Sequence, residues 1–253
     1  KNILPAKLFF QVLKYGEIIV KSLPHCLNAD IVHCHDFEPL PIAILAKGLR
    51  FGRLKIVYDA HELEVERVPK AHPLKKKVFK FFEDLAISFC DAMITVNKSI
   101  AEIYHQRTGV QPVQILNCPN YVQLNPQKYW HSLFHLSPQQ KVFIYQGLFS
   151  KGRGLEDLIN AFSQLSENYV LVLMGKGPLE AFLRGKAEKL PNVFIHNFTA
   201  AQDMLNYTAS ADFGIVPTEL IGLNNTLSLP NKYFEYLMAG LPLICIDSPE
   251  MGY

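Results

Sequence analysis

The sequence predicts an α/β protein made of two successive parallel-sheet domains. Three observations carry that prediction. Short β-branched runs alternate with longer amphipathic stretches along nearly the whole chain, the pattern of a parallel sheet covered by helices. The alternation lapses once, between Tyr121 and Gln140, where polar residues, prolines and Trp130 interrupt it, and then it resumes. The chain's 253 residues are enough for two ordinary domains. The expected division is 1–122 for the first domain, 123–140 for the connection and 141–253 for the second.

In chain order, residues 6–27 carry apolar positions at helical spacing and read as a helix. Asp30–His35 reads as a strand, Ile42–Leu49 as a helix and Lys55–Tyr58 as a second strand ending in Asp59-Ala-His-Glu62. A helix is expected from about Pro73 to Phe89, then strands at Asp91–Val96 and Val113–Leu116. Beyond the break, strands are expected at 142–146, 169–174, 193–196, 212–216 and 243–246. The helices between them should lie near 154–167, 178–189, 200–209 and 231–239. Parallel sheets of this Rossmann-like kind place functional residues at the carboxyl ends of their strands. His35, His61, Asn97 and Asn117 fall at such ends.

Composition narrows the function classes. Hydrophobic residues make up 49% and charged residues 19%, which excludes a disordered chain. A net charge of +2 argues against a dedicated nucleic-acid binder. No apolar run reaches the length of a membrane span, and Leu8-Phe9-Phe10 is too short for the core of a secretory signal. The five cysteines are dispersed without a Cys-x-x-Cys, which fits a reducing compartment and a cytoplasmic location.

The most informative stretch is Ser228-Leu-Pro-Asn-Lys-Tyr-Phe-Glu-Tyr-Leu-Met-Ala-Gly-Leu-Pro-Leu-Ile244. Pro230 suits the start of a helix, Gly240 its end, and Pro242 prevents continuation. Asn231, Lys232 and Glu235 then share one face near the helix start. Free N–H groups and a lysine can hold an anion such as a diphosphate, and a carboxylate one turn later can accept two hydroxyl hydrogen bonds, as from a ribose. The same spacing also fits an exposed Lys–Glu pair on an ordinary amphipathic helix. A second phosphate cradle is offered by Tyr145-Gln-Gly-Leu-Phe-Ser-Lys-Gly-Arg-Gly-Leu155, a strand followed by a glycine-rich turn and a helix start, with Lys151 and Arg153 adding charge. Gly175-Lys-Gly-Pro178 is a weaker turn signal, and the dinucleotide fingerprint Gly-x-Gly-x-x-Gly is absent there.

Pro-Asn-Lys-Tyr-Phe-Glu-Tyr followed by Ala-Gly-Leu-Pro resembles the donor-site motif of retaining GT-B glycosyltransferases of family 4 and group 1, many of which build bacterial surface polysaccharides. The resemblance implies two Rossmann-like domains facing a cleft and a chain cut short at both ends. It also implies transfer of a sugar from a UDP- or GDP-linked donor to a glycan or lipid-linked acceptor with retention of configuration. By the same resemblance Glu235 binds the ribose, and the helix start at Asn231 and Lys232 faces the diphosphate. The family pattern has Gly-Arg and then Lys-Gly on the diphosphate; here Gly147 precedes Leu148, Lys151-Gly152 matches the second part, and Arg153 is the nearest replacement for the missing arginine. Phe198 is the candidate for apolar contact with the base, in a segment that lies beside the nucleobase in the family. The first glutamate of the family's paired motif would fall at Leu227, so Glu219, Asn224 and Asn225 become the candidate sugar loop. His61 matches a histidine near the reacting centre and is the catalytic candidate, with Glu62 able to orient it.

His33 and His35 share one strand face, but further ligands at a characteristic spacing are lacking, and no metal site is expected. No cofactor beyond the nucleotide-sugar co-substrate is expected, and no nucleic-acid partner. The basic and aromatic stretch 69–82 (Lys70, Lys75, Lys76, Lys77, Lys80 with Phe79, Phe81 and Phe82) is a candidate for peripheral contact with the inner face of a membrane, against the plainer reading of a core helix with a solvated basic face. Two other functions remain open: a non-catalytic or remnant partner of the same fold, and a nucleotide-sugar epimerase.

Overall fold

The computed structural model describes residues 8–67, 71–124, 127–197, 199 and 201–252. The chain forms two compact units, Lys1–Leu116 and Asn117–Tyr253.

In the first unit the strands β1 (Ile31–His35), β2 (Lys55–Ala60), β3 (Ala92–Thr95) and β4 (Val113–Gln114) form a parallel sheet in that order. The helices are α1 (Leu8–Asn28), α2 (Leu40–Leu49), α3 (Pro73–Ile87) and α4 (Lys98–Thr108), with a 3-10 turn at Glu64–Glu66. Local chemistry sets the ends. Pro73 opens α3, and the Asn97 side chain caps α4 by accepting from the Ile100 N–H at 2.9 Å. Gly109, in the left-handed region at φ +73°, closes α4. Leu40, Ala43 and Ala46 of α2, Ile56 and Tyr58 of β2 and Met93 of β3 are all buried in the core, with α2 against β2. Buried Glu83 is satisfied by the hydroxyls of Tyr58 (3.0 Å) and Tyr104 (2.6 Å) and by Arg107 (2.7 Å), the full complement that a buried charge requires.

In the second unit β5 (Lys141–Leu148), β6 (Tyr169–Lys176), β7 (Val193–His196), β8 (Phe213–Val216) and β9 (Leu243–Cys245) form a parallel sheet in the order 7-6-5-8-9. Its helices are α5 (Tyr129–Leu133), α6 (Leu155–Phe162), α7 (Glu180–Ala187), α8 (Ala201–Thr208), α9 (Leu223–Thr226) and α10 (Asn231–Met238). The period-two alternation along β5 sends Tyr145 to the face covered by α6 and α7, and Val142 and Ile144 to the face where Trp130 and Tyr236 lie. Chain order reverses at β5, with β6 on one side and β8 on the other. The carboxyl end of β5 is therefore a topological switch point, where open α/β sheets leave a crevice.

The second unit, Asn117–Tyr253, takes in α5 ahead of its first strand. The reason is packing. Trp130 is fully buried and donates its indole N–H to the Tyr207 carbonyl at 2.9 Å, and Phe134 stacks on Phe194 at 4.2 Å between ring centres.

Candidate functional site

The switch point gathers the groups that the sequence singled out in the second half. Gly147, at the end of β5, has φ +130°, a conformation that favours glycine. A Cβ there would stand 3.2 Å from Nζ of Lys232, so the strand end and the lysine approach as closely as a glycine allows. The Lys232 amine lies 3.7 Å from the centre of the Tyr145 ring, over its face. No carboxylate forms an ion pair with Lys232 among the described residues. Burial removes much of its hydration and the Arg153 guanidinium repels it; together they pull its ammonium down to about 7, with Glu235 acting weakly the other way. Tyr145 is pushed up to about 12 by burial. Two basic groups, Lys232 and Arg153, thus lie near each other at this site, with Glu235 the carboxylate that acts on Lys232.

Lys232 and Glu235 both stand on α10. The helix begins after Pro230, which offers no side-chain cap; the Tyr233 N–H donates to the Pro230 carbonyl at 2.9 Å. Asn231 is exposed at its first turn. Glu235 is held by a chain of hydrogen bonds. The Gln146 amide donates to Glu235 Oε2 at 2.5 Å, and the Thr208 hydroxyl donates to Gln146 Oε1 at 2.5 Å. The Gln146 N–H donates to the Tyr236 hydroxyl at 2.9 Å. One carboxylate oxygen is thus fixed, while Oε1 has no protein partner among the described residues and remains an acceptor. Gln146, only 2% exposed, was missed in the sequence; its signal is a polar side chain in an otherwise apolar strand one residue before the glycine.

The glycine turn after β5 is stitched to the loop after β8. The Gly154 N–H donates to Glu219 Oε1 at 3.1 Å, the Glu219 N–H donates to the Gly152 carbonyl at 3.1 Å, and the Asn225 amide donates to the Glu219 carbonyl at 3.0 Å. Gly154, at φ +67°, has no room for a side chain, because a Cβ would lie 1.9 Å from the Pro217 carbonyl oxygen. Glu219 and Asn225 therefore hold the turn that carries Arg153. Lys151 is exposed on the same turn, and Leu148, at the place of the family's arginine, is 54% exposed and brings no charge. Asn224 lies on the short helix α9 beside Asn225. Phe198 lies outside the described residues.

His61 belongs to the first unit and is described there by itself. It follows β2, and its Nε2 stands 3.5 Å from Asp59 Oδ2 and 3.2 Å from Nδ1 of His35. His33 Nε2 is 2.9 Å from the same Asp59 oxygen. The parallel register of β1 and β2 sets His35 opposite Asp59 and brings a carboxylate beside the two imidazoles, a neighbour that sequence spacing hides. The Glu62 carboxylate lies 3.4 Å from Arg67 Nε.

On α3, Leu74, Val78, Phe81, Phe82 and Leu85 are exposed together with Lys75 and Lys77, whereas Phe79 packs on Phe37 at 4.8 Å. Residues 69 and 70 of the expected membrane-facing stretch lie outside the described residues. No helix among the described residues is long and apolar enough to cross a membrane.

Comparison with known proteins gives a consistent picture. The family described as Glycosyltransferase Family 4 matches residues 5–125, and the family described as Glycosyl transferases group 1 matches residues 140–252. Anabaena HepE in complex with UDP is 16% identical with a TM-score of 0.69, over 92% of this chain and 64% of that one. The lipopolysaccharide outer core galactosyltransferase WaaB in its apo form is 15% identical with a TM-score of 0.63, over 96% of this chain and 65% of that one. Sucrose-phosphate synthase from Thermosynechococcus elongatus is 17% identical with a TM-score of 0.71, over 96% of this chain and 62% of that one. The chain thus spans somewhat less than two thirds of the length of these proteins. No curated protein matches the sequence. With one family match on each unit and two parallel α/β sheets between them, the chain belongs to the GT-B glycosyltransferases of family 4 and group 1.

Proposed function

We propose that this chain carries the donor site of a glycosyltransferase that moves a sugar from a nucleoside-diphosphate sugar to a glycan or lipid-linked acceptor, with retention of configuration. The observation that carries the reading is the convergence of Lys232, Arg153, the Gly147 turn and the uncapped start of α10 on the switch point. The diphosphate supplies the negative charge that this pocket lacks. As the glycosidic bond to the β-phosphate breaks, charge grows on the departing diphosphate, and preorganised cations and N–H groups stabilise that charge most. Lys151 adds a solvent-side charge. No metal is needed at the diphosphate, because the basic groups do that work. Glu235, with one oxygen fixed by Gln146, accepts from the ribose hydroxyls. Asn224 and Asn225 face the sugar, and Glu219 acts by holding the turn. His61 is the catalytic candidate of the first unit. HepE complexes with UDP and with UDP-glucose favour a UDP-linked donor, and WaaB, a lipopolysaccharide galactosyltransferase, favours a glycan acceptor. The exposed apolar and basic face of α3 fits a cytoplasmic protein resting on an anionic bilayer.

The test is turnover. Incubation with UDP-glucose, UDP-galactose or GDP-mannose and a lipid-linked saccharide should release one nucleoside diphosphate per sugar transferred, and the product anomer read by NMR should match the donor's. An inverted anomer overturns retention. Nucleotide binding without transfer moves the protein to a second reading, a non-catalytic binding partner, which the neutral Leu148 in place of a basic residue favours.

A further inference from the structure

We propose that Tyr145 is a positioning residue of the anion site: its ring face seats the Lys232 ammonium and its hydroxyl ties the glycine turn, so that one buried side chain sets the two arms of the site against each other. The proposal deepens the donor reading and rests on it, since the arms matter only if a diphosphate binds there.

The geometry joins four groups. Tyr145 stands on β5, two residues before Gly147, and is 1% exposed. It belongs to the buried cluster that holds Phe149, Leu155 and Leu173. Lys232 Nζ, from α10, lies 3.7 Å from the centre of its ring. The Tyr145 hydroxyl donates to the Leu148 carbonyl at 3.0 Å, where β5 gives way to the turn. A Cβ on Gly147 would meet Lys232 Nζ at 3.2 Å, Lys232 Cε at 3.6 Å and the Tyr145 hydroxyl at 3.8 Å. Ring, hydroxyl, amine and turn therefore meet at one point, and a glycine leaves them room.

An aromatic face does here what a carboxylate would not. A carboxylate in place of the ring would hold the ammonium and cancel its charge. The ring quadrupole attracts a cation but carries no net charge, so the lysine is oriented and its charge is left for a ligand. The attraction is strongest where water is excluded. Burial is the largest influence on Lys232 and favours the neutral amine; the Arg153 guanidinium on the turn does the same, and Glu235 on α10 acts weakly the other way. The ring offsets part of the cost of keeping a proton there. Burial pushes the Tyr145 hydroxyl up to about 12, so it remains a phenol and donates to Leu148 across the working range of pH.

The hydroxyl has a separate task. The turn that it ties carries Lys151 and Arg153. Holding the Leu148 carbonyl fixes the start of that turn relative to the ring, and so relative to the lysine on the ring.

The experiment reads the lysine directly in the full chain without ligand. Lysines labelled with carbon-13 at Cε are followed by NMR as pH is raised, and the signal absent from Lys232→Met is assigned to Lys232. The parent midpoint should lie near 7. Tyr145→Phe keeps the ring and should leave that midpoint in place. Tyr145→3,4,5-trifluorophenylalanine keeps the ring's shape but removes most of the negative charge of its face, and it should lower the midpoint by about one pH unit. UDP titrated by calorimetry at pH 8 should bind about tenfold more weakly to the fluorinated chain than to Tyr145→Phe. Tyr145→Phe should itself bind about threefold more weakly than the parent, through loss of the tie to Leu148. A Lys232 midpoint that fluorination leaves in place overturns the proposal, whatever the affinities. Equal UDP affinity of Tyr145→Phe and the parent overturns the part given to the hydroxyl. Absence of UDP binding by the folded parent overturns the donor reading and the proposal with it, and is told apart from the first failure because the lysine midpoint still moves on fluorination.

Discussion

Diphosphate binding is expected to draw a proton onto Lys232. In the free site the Lys232 amine is desolvated beside Tyr145 and repelled by Arg153, and its ammonium is pulled down to about 7. A bound diphosphate reverses both causes by placing negative charge beside the amine. With a free value near 7 and a bound value near the ordinary lysine value of about 10.4, uptake at pH 8 comes to about 0.9 proton per site. By the same linkage, affinity falls about fifty-fold between pH 7 and pH 9. The ligand's own last proton does not interfere, since a phosphate monoester loses it at about pH 6. Calorimetric titration with UDP in two buffers of different ionisation enthalpy reads the uptake directly, and Lys232→Met should abolish it. Between about pH 7 and the unfolded lysine value, the unfolded chain binds more protons at this position than the folded one, so stability without ligand should rise with pH across that window. Zero uptake at pH 8 together with a flat affinity from pH 7 to 9 would refute the reasoning.

Three further outcomes can be checked by simple substitutions. Gln146→Leu keeps the volume of a buried strand residue but removes the donor to Glu235, and nucleotide affinity should drop about tenfold, or about 1.4 kcal/mol, in calorimetry. Gly154→Ala places a Cβ 1.9 Å from the Pro217 carbonyl oxygen at φ +67°, and it should cost about 2 kcal/mol or more in urea unfolding and weaken the anion site; Gly185→Ala, with open space on α7, should stabilise by about 0.5–1 kcal/mol instead. Glu64 is buried, has one oxygen without a partner, and is pushed up to about 8 by burial and by Asp36. Its raised value means that stability is lost as pH rises from about 4.3, the unfolded value, through 8. Glu64→Gln should remove that loss and leave the variant about 2 kcal/mol more stable than the parent at pH 9, read from thermal melts across pH.

Much of this architecture was legible because each element repeats a local rule. Strand interiors such as Val142–Tyr145 and Val170–Met174 read as apolar runs between turn residues, and Pro230 and Gly240 marked the limits of α10. The positions of Lys232 and Glu235 on one helix face followed from a 3.6-residue period alone. Features that depend on distant partners were hidden. Gln146 acquires its role from Thr208 and Glu235, 62 and 89 residues away in sequence. Asp59 joins His33 and His35 only through the register of two parallel strands, which no spacing along the chain reveals. Trp130 sat in a stretch that lacked periodicity, and its burial comes from α8 and β7 rather than from its own helix of five residues. Glu219 accepts from the Gly154 N–H, 65 residues away in sequence, a tie that its place in the loop does not reveal.

The central claim is that a nucleoside diphosphate occupies the carboxyl end of β5. Calorimetric titration of the chain with UDP and GDP, alongside Glu235→Ala and Lys232→Met, tests it most directly. The account predicts one saturable site, weakened about tenfold or more by each substitution. Absence of binding by a chain shown to be folded, or binding that both substitutions leave unchanged, would contradict it.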